Sequence, residues 1–166
     1  MTDRRGHLEL VRGGADSRLF VHLLLNFIHR ADHVRRGLYG GDLDLAAVGE
    51  TVAIVAIEPA MRDPAFRRTF HDLRSMIGLE PQQAVNALTI AEATGIPRET
   101  VRRKLKQLLQ LGVVTEKERG RYVMKPGIAQ RPENLAAADR AMRDTLQLMN
   151  DCLSLGLVRW VDRPDK

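Results

Sequence analysis

The chain has 166 residues, of which 44% are apolar and 4% aromatic, and carries a net charge of +5. That is enough apolar material for one packed domain with helical additions, and the few aromatics argue against a sheet-rich sandwich or barrel. The single cysteine, Cys152, excludes a disulfide framework and a four-cysteine zinc site within one chain.

The longest apolar stretch, "LAAVGETVAIVAI", is interrupted by Glu50 and too short for a bilayer. The N-terminal residues show no apolar signal-peptide core. The expectation is a soluble, cytoplasmic protein with no membrane partner. A basic balance points to an anionic partner. Residues 80–127 carry nine basic and five acidic side chains, so +4 of the net +5 lies in less than a third of the chain.

Residues 1–16 are polar with three glycines and read as a mobile tail. A first helix is expected from Ser17 to Arg36. Phe20, Leu23, Leu24, Phe27, Ile28 and Val34 give it a wide apolar arc. Arg18, His22, Asn26, His29, His33 and Arg36 form one narrow polar stripe. Such a helix should be buried on most sides. "GLYGGD" is a turn, and Asp42 is a good N-cap for a second helix, Leu43 to Ile57, ended by Pro59. Its "TVAIVAI" end also suits a buried strand, but the length and the cap favour helix. A third helix is expected from Pro64 to Ile77, with Phe66, Phe70, Leu73 and Ile77 repeating on one side and Gly78 as its stop. Residues 17–78 thus form an N-terminal helical region, read either as a dimerisation scaffold or as the sensor of a small-molecule effector.

Next, Asn86 can cap a short helix, Ala87 to Thr94. Gly95 sits where the chain must turn, Ile96 plugs the turn, and Pro97 suits the first turn of a helix running to Leu111. Two short helices with a tight turn make a helix-turn-helix. Thr94 to Val113 holds five cations and one acid. On a helical wheel with Arg98 at zero, Val101, Leu105, Leu108 and Leu109 occupy about 280° through 20°. Glu99, Thr100, Arg103, Lys104, Lys106, Gln107 and Gln110 fill about 80–240°. Arg98 and Arg102 flank the apolar stripe. The outer arc suits a major groove, where Arg can donate twice to guanine, Gln can pair with adenine and Glu can accept from cytosine. After it, Val113 to Thr115 and Tyr122 to Met124 have strand character around a polar turn with Gly120. This hairpin would carry Lys117, Arg119 and Arg121 at its tip, on DNA phosphates or in the minor groove.

"GIPRETVRRKL" resembles the recognition-helix region of the catabolite-activator/Fnr group of bacterial regulators, where Arg-Glu-Thr-Val-x-Arg is the usual core. More broadly, Asn86 to Lys125 resembles a bacterial winged helix-turn-helix transcriptional regulator domain. The resemblance covers about 40 residues, a single domain's reading head. It implies that Arg98, Glu99 and Arg103 face bases. Pro97 stands where the group usually has a capping Ser, and no glycine-rich pattern of a cyclic-nucleotide domain precedes the motif.

After Pro126 and Gly127 a last helix is expected within residues 131–157. Leu135, Ala138, Met142, Thr145, Met149 and Cys152 repeat along it as a heptad-like seam suited to dimerisation, with Cys152 a small buried residue. His29 and His33 are one turn apart, but no third ligand completes a set with His22, so no metal is expected. There is no phosphate-binding glycine loop, nucleophile elbow or zinc-protease pair, so the chain is read as a non-enzyme without a cofactor.

The expected fold is mainly α: a winged helix-turn-helix over residues 80–127 with a small β-hairpin wing, N-terminal helices and a long C-terminal helix. The expected function is a homodimeric, sequence-specific regulator of transcription that binds double-stranded DNA. Arg98, Glu99, Arg103 and Gln107 are the base-reading residues. Thr100, Arg102, Lys104, Lys106, Lys117, Arg119 and Arg121 are the backbone contacts. The alternative is a winged-helix protein–protein interaction module without DNA binding.

Overall fold

The computed structural model describes residues 6–11 and 17–162. They are mainly helical, with small antiparallel sheets. In chain order they form β1 (Gly6–Leu10), α1 (Ser17–Leu38), α2 (Leu43–Met61), α3 (Pro64–Thr69), β2 (Val85–Asn86), α4 (Ala87–Thr94), α5 (Arg98–Gln110), β3 (Val114–Glu118), β4 (Arg121–Met124), α6 (Pro132–Ser154) and β5 (Val158–Asp162). Among the described residues no helix is long and apolar enough to cross a membrane.

The chain divides into two compact units, Met1–His33 with Asp139–Lys166, and Val34–Ala138. Helices α1 and α6 each contribute to both. In the larger unit α2 is the central element. Asp42 caps it by accepting from the Leu45 N–H at 2.9 Å. Its Leu45, Val48 and Val52 meet Ile90 of α4 and Val101, Leu105 and Leu108 of α5 in one apolar cluster. Gly49 keeps this packing close: a Cβ would lie 3.1 Å from the Tyr39 hydroxyl, tighter than ordinary contact. A three-stranded sheet in the order β2-β4-β3 closes the unit.

Helix α2 runs past the expected stop to Met61, with Pro59 inside it. Pro59 falls in the last turn, where its missing N–H forfeits a single hydrogen bond. Helix α3, expected to reach Ile77, ends at Thr69. Beyond it Asp72 Oδ1 accepts from the Arg74 N–H at 2.9 Å, and the Asp72 carbonyl accepts from Ser75. A short acidic side chain competing for backbone N–H groups in this way favours a turn over helix.

The smaller unit corrects the expectation of a mobile tail at residues 1–16. Gly6–Leu10 is a strand, paired antiparallel with β5 from Gly6↔Asp162 to Leu10↔Val158. Glu9 and Arg159, opposite each other, pair at 2.9 Å. The rest of that tail, residues 1–5 and 12–16, lies outside the described residues. Arg30 of α1 pairs with Asp144 of α6 at 3.4 Å. The expectation that α1 is buried on most sides is not met: α1 has no buried residue, and α6 buries only Cys152. Among the described residues, these two long helices are left largely uncovered.

Candidate nucleic-acid interface

The α4–α5 pair is built by local chemistry. Asn86 accepts from the N–H groups of Leu88 and Thr89, satisfying two orphan donors at the start of α4. Gly95 ends α4 at φ +71°, a left-handed conformation open to glycine at little cost. Ile96 packs against the core cluster. Pro97 precedes α5 as its N-cap with an extended ψ and gives it no side-chain cap. The acid in the first turn, Glu99, is the group that favours this end of the helix dipole.

Helix α5 buries Val101, Lys104, Leu105 and Leu108. Leu109, placed by the wheel inside the stripe, is 36% exposed at its edge. Arg98, Glu99, Arg102, Arg103, Lys106, Gln107 and Gln110 are exposed, and Thr100 is half-buried. Arg98 escapes the apolar stripe because it opens the helix, where no preceding turn covers it. Arg102 donates to Glu99 at 2.8 Å. Among the described residues, the side chains of Arg98, Arg103, Lys106 and Gln107 have no protein partner. The exposed face therefore presents three unpaired cations and the two amides of Gln107 and Gln110.

Lys104 is the correction on this helix. The wheel assigns it to the outer arc, but it is 7% exposed and its ammonium pairs with the Asp42 carboxylate at the start of α2. It stands at the border of the arc, about 40° from Leu108, and α2 covers that border. The Lys104 ammonium and the Leu45 N–H hold the Asp42 carboxyl below the usual carboxylate range.

The β3–β4 hairpin turns at Gly120, φ +72°, and Glu116 accepts from the Gly120 N–H. Arg119 at the tip is exposed and has no protein partner among the described residues. The other two hairpin cations are committed inward. The Lys117 ammonium donates to the carbonyls of Leu79, Glu80 and Gln82 at 3.0, 3.3 and 2.9 Å. Arg121 donates to the Ala84 carbonyl at 2.9 Å and pairs with Glu118 at 3.5 Å. Both fasten residues 79–84 to the sheet, so the expectation that they stand at the tip beside Arg119 is corrected. Tyr122 on β4 packs against the core cluster. Burial raises its phenol pKa, Glu116 adds to the rise, and the nearby Arg102 opposes it.

Gln82, unremarked in the sequence, is buried and joins this frame. Its amide accepts from the Met124 N–H at 2.9 Å and donates to the Met124 and Gly78 carbonyls, each at 3.1 Å. Its partner on β4 lies 42 residues away, beyond the reach of any local pattern.

The chain matches no family model, no curated protein and no solved structure.

Away from this face, His22 hydrogen-bonds Asn26 at 2.9 Å, and His29 and His33 are exposed. Among the described residues no three His, Cys, Asp or Glu side chains gather as a metal-ligand set. Cys152 is buried, and that burial, with Asp151 beside it, raises its thiol pKa.

Proposed function

We propose that the chain is a double-stranded DNA-binding transcriptional regulator, with α4–α5 and the β3–β4 hairpin acting as a winged helix-turn-helix. The observation that carries this reading is the α5 face, whose Arg98, Arg103, Lys106 and Gln107 are exposed and unspent. Side chains held on a rigid helix, with no internal partner to give up, pay little to meet base edges or phosphates. Arg98, Glu99, Arg103 and Gln107 read bases, Glu99 exchanging Arg102 for a cytosine amine. Lys106, Arg102 and the hairpin-tip Arg119 hold the backbone, with Thr100 at the edge of the contact. Lys104 leaves the contact set, and Lys117 and Arg121 act by holding the hairpin in place.

The working form is a homodimer. Leu25 on α1 is 60% exposed, Met142 and Leu146 on α6 are each 59% exposed, and Trp160 on β5 is also exposed. Gathered on one face, such side chains would form an apolar patch suited to an interface. A second copy across a two-fold axis covers it and supplies the second reading head that a palindromic operator requires.

The test is fluorescence-anisotropy titration of labelled duplex at several salt concentrations. Three backbone cations per protomer, Arg102, Lys106 and Arg119, give a log–log salt slope of about −5 for the dimer. A chain that ignores duplex at low salt, or binds it independently of salt, removes this reading and leaves the protein–protein module.

A further inference from the structure

Residues 70–84, between α3 and β2, contain no helix or strand. Irregular segments of this length are uncommon in a compact unit and tend to serve binding. This one is firmly held. Gln82 and Lys117 tie its far end to the hairpin, and Gln130 donates to the Leu73 carbonyl at 2.6 Å.

Held in this way, the segment lines an open-mouthed cavity of about 390 Å³ together with the end of α2 and the turn that follows β4. Ala53, Ile57 and Met61 of α2, Phe70 and Ile77 of the segment, and Ile128 of the turn give it apolar walls. Its polar lining groups are largely spent. Gln82 is committed to Gly78 and Met124. Asp72 serves Arg74. His71 Nδ1 bonds the Arg68 carbonyl, which leaves Nε2. The Lys125 ammonium lies toward Gly112.

Small-molecule sites span roughly 300–1,000 Å³, with apolar walls and a few polar atoms. We propose that this cavity binds an uncharged, mainly apolar molecule of two or three rings. A dry cavity of about 150 Å³ already takes benzene, so the space suits the larger of these. An occupant touches Gln82 and Met124, which bond each other, and so braces the base of the hairpin. Its effect on DNA affinity rests on the function proposed above; the site itself does not.

The test is titration of the full chain with N-phenyl-1-naphthylamine, an uncharged fluorophore. Saturable, blue-shifted binding of one probe per chain is expected, with slowed amide exchange in residues 70–83 and 124–130. Ala53→Phe, filling the cavity from α2, lowers affinity about tenfold or more. Glu92→Gln, on the exposed face of α4 away from the cavity, leaves it unchanged. If Ala53→Phe alters the far-ultraviolet circular dichroism, Met61→Trp at the exposed mouth takes its place. Absent saturation, binding that survives both cavity variants, or binding lost with Glu92→Gln would overturn the site. A chain that takes the probe as described yet ignores duplex keeps the site and loses the DNA-binding function.

Discussion

The ammonium of Lys104 on α5 meets the carboxylate of Asp42 at the first turn of α2, with the Lys104 side chain only 9% exposed. One acid therefore caps α2 through Leu45 and anchors the cationic helix across 62 positions of sequence. A buried pair of this kind adds little to net stability over an apolar substitute, but losing one partner strands the other charge. It fixes where α5 sits.

Removing the acid should therefore cost far more than replacing the base. Asp42→Ala strands Lys104 and removes the cap, for a loss of about 3–5 kcal/mol. Lys104→Met keeps the packing and leaves Asp42 with the Leu45 N–H, so stability changes by about 1 kcal/mol or less, in either direction. Urea denaturation of the two variants checks the asymmetry. Equal losses would show that the burial of Lys104 is not what matters.

The same pair sets an acid limb. The folded-state pKa of Asp42 is depressed, chiefly by its hydrogen bond to Lys104. Its contribution is complete above the unfolded carboxylate pKa of about 3.9 and disappears as pH falls through the lower folded value. The stability gap between wild type and Asp42→Asn should hold steady from pH 7 to about 5 and shrink below about 4. Thermal melts across that range measure it. A gap that grows on acidification would contradict the sign.

On DNA, the cations of α5 and the hairpin should separate into classes. Arg103→Ala relaxes specificity at one base pair per half-site by about 1–3 kcal/mol. Lys106→Met weakens all duplexes alike and reduces the salt slope by about one per contact. Lys104→Met leaves duplex affinity within about twofold, less than 0.5 kcal/mol. Selection from a random duplex pool followed by anisotropy titration sorts them. Loss of affinity with Lys104→Met at unchanged stability would return it to the contact set.

Lys117 tests whether the hairpin cations act as structure or as contacts. Its ammonium satisfies three carbonyls. Lys117→Met should loosen residues 79–84, seen as faster amide exchange, and destabilise the chain by about 1–3 kcal/mol. Arg119→Ala should alter neither, and should reduce the salt slope instead. The reverse pattern would place Lys117 on the DNA.

The exposed face of α1 and α6 gives a direct test of assembly. Leu25→Asp with Leu146→Asp should convert a dimer to a monomer in sedimentation equilibrium, leaving the α4–α5 unit folded. Wild-type chain that sediments as a monomer at micromolar concentration would remove the dimer.

The sequence by itself determined the α4–turn–α5 core. Asn86 caps, Gly95 turns left-handed, and Val101, Leu105 and Leu108 repeat at helical spacing, all within a few residues of one another. Caps and periodicity act over one or two turns, so they are written in the local chain. The outward direction of Arg103, Lys106 and Gln107 follows from the same wheel. Tertiary structure decided what the wheel leaves open at its borders. Lys104 went inward because α2 brings Asp42 beside it, and Lys117 and Arg121 turned back because residues 79–84 offer carbonyls. It also decided the β1–β5 pairing, in which Glu9 finds Arg159 across 150 positions, and the end of α3, where Asp72 outcompetes an apolar repeat. In the pairings just named the partners are distant in the chain and meet only once the core brings them together; the end of α3 was local, but its apolar repeat concealed the turn.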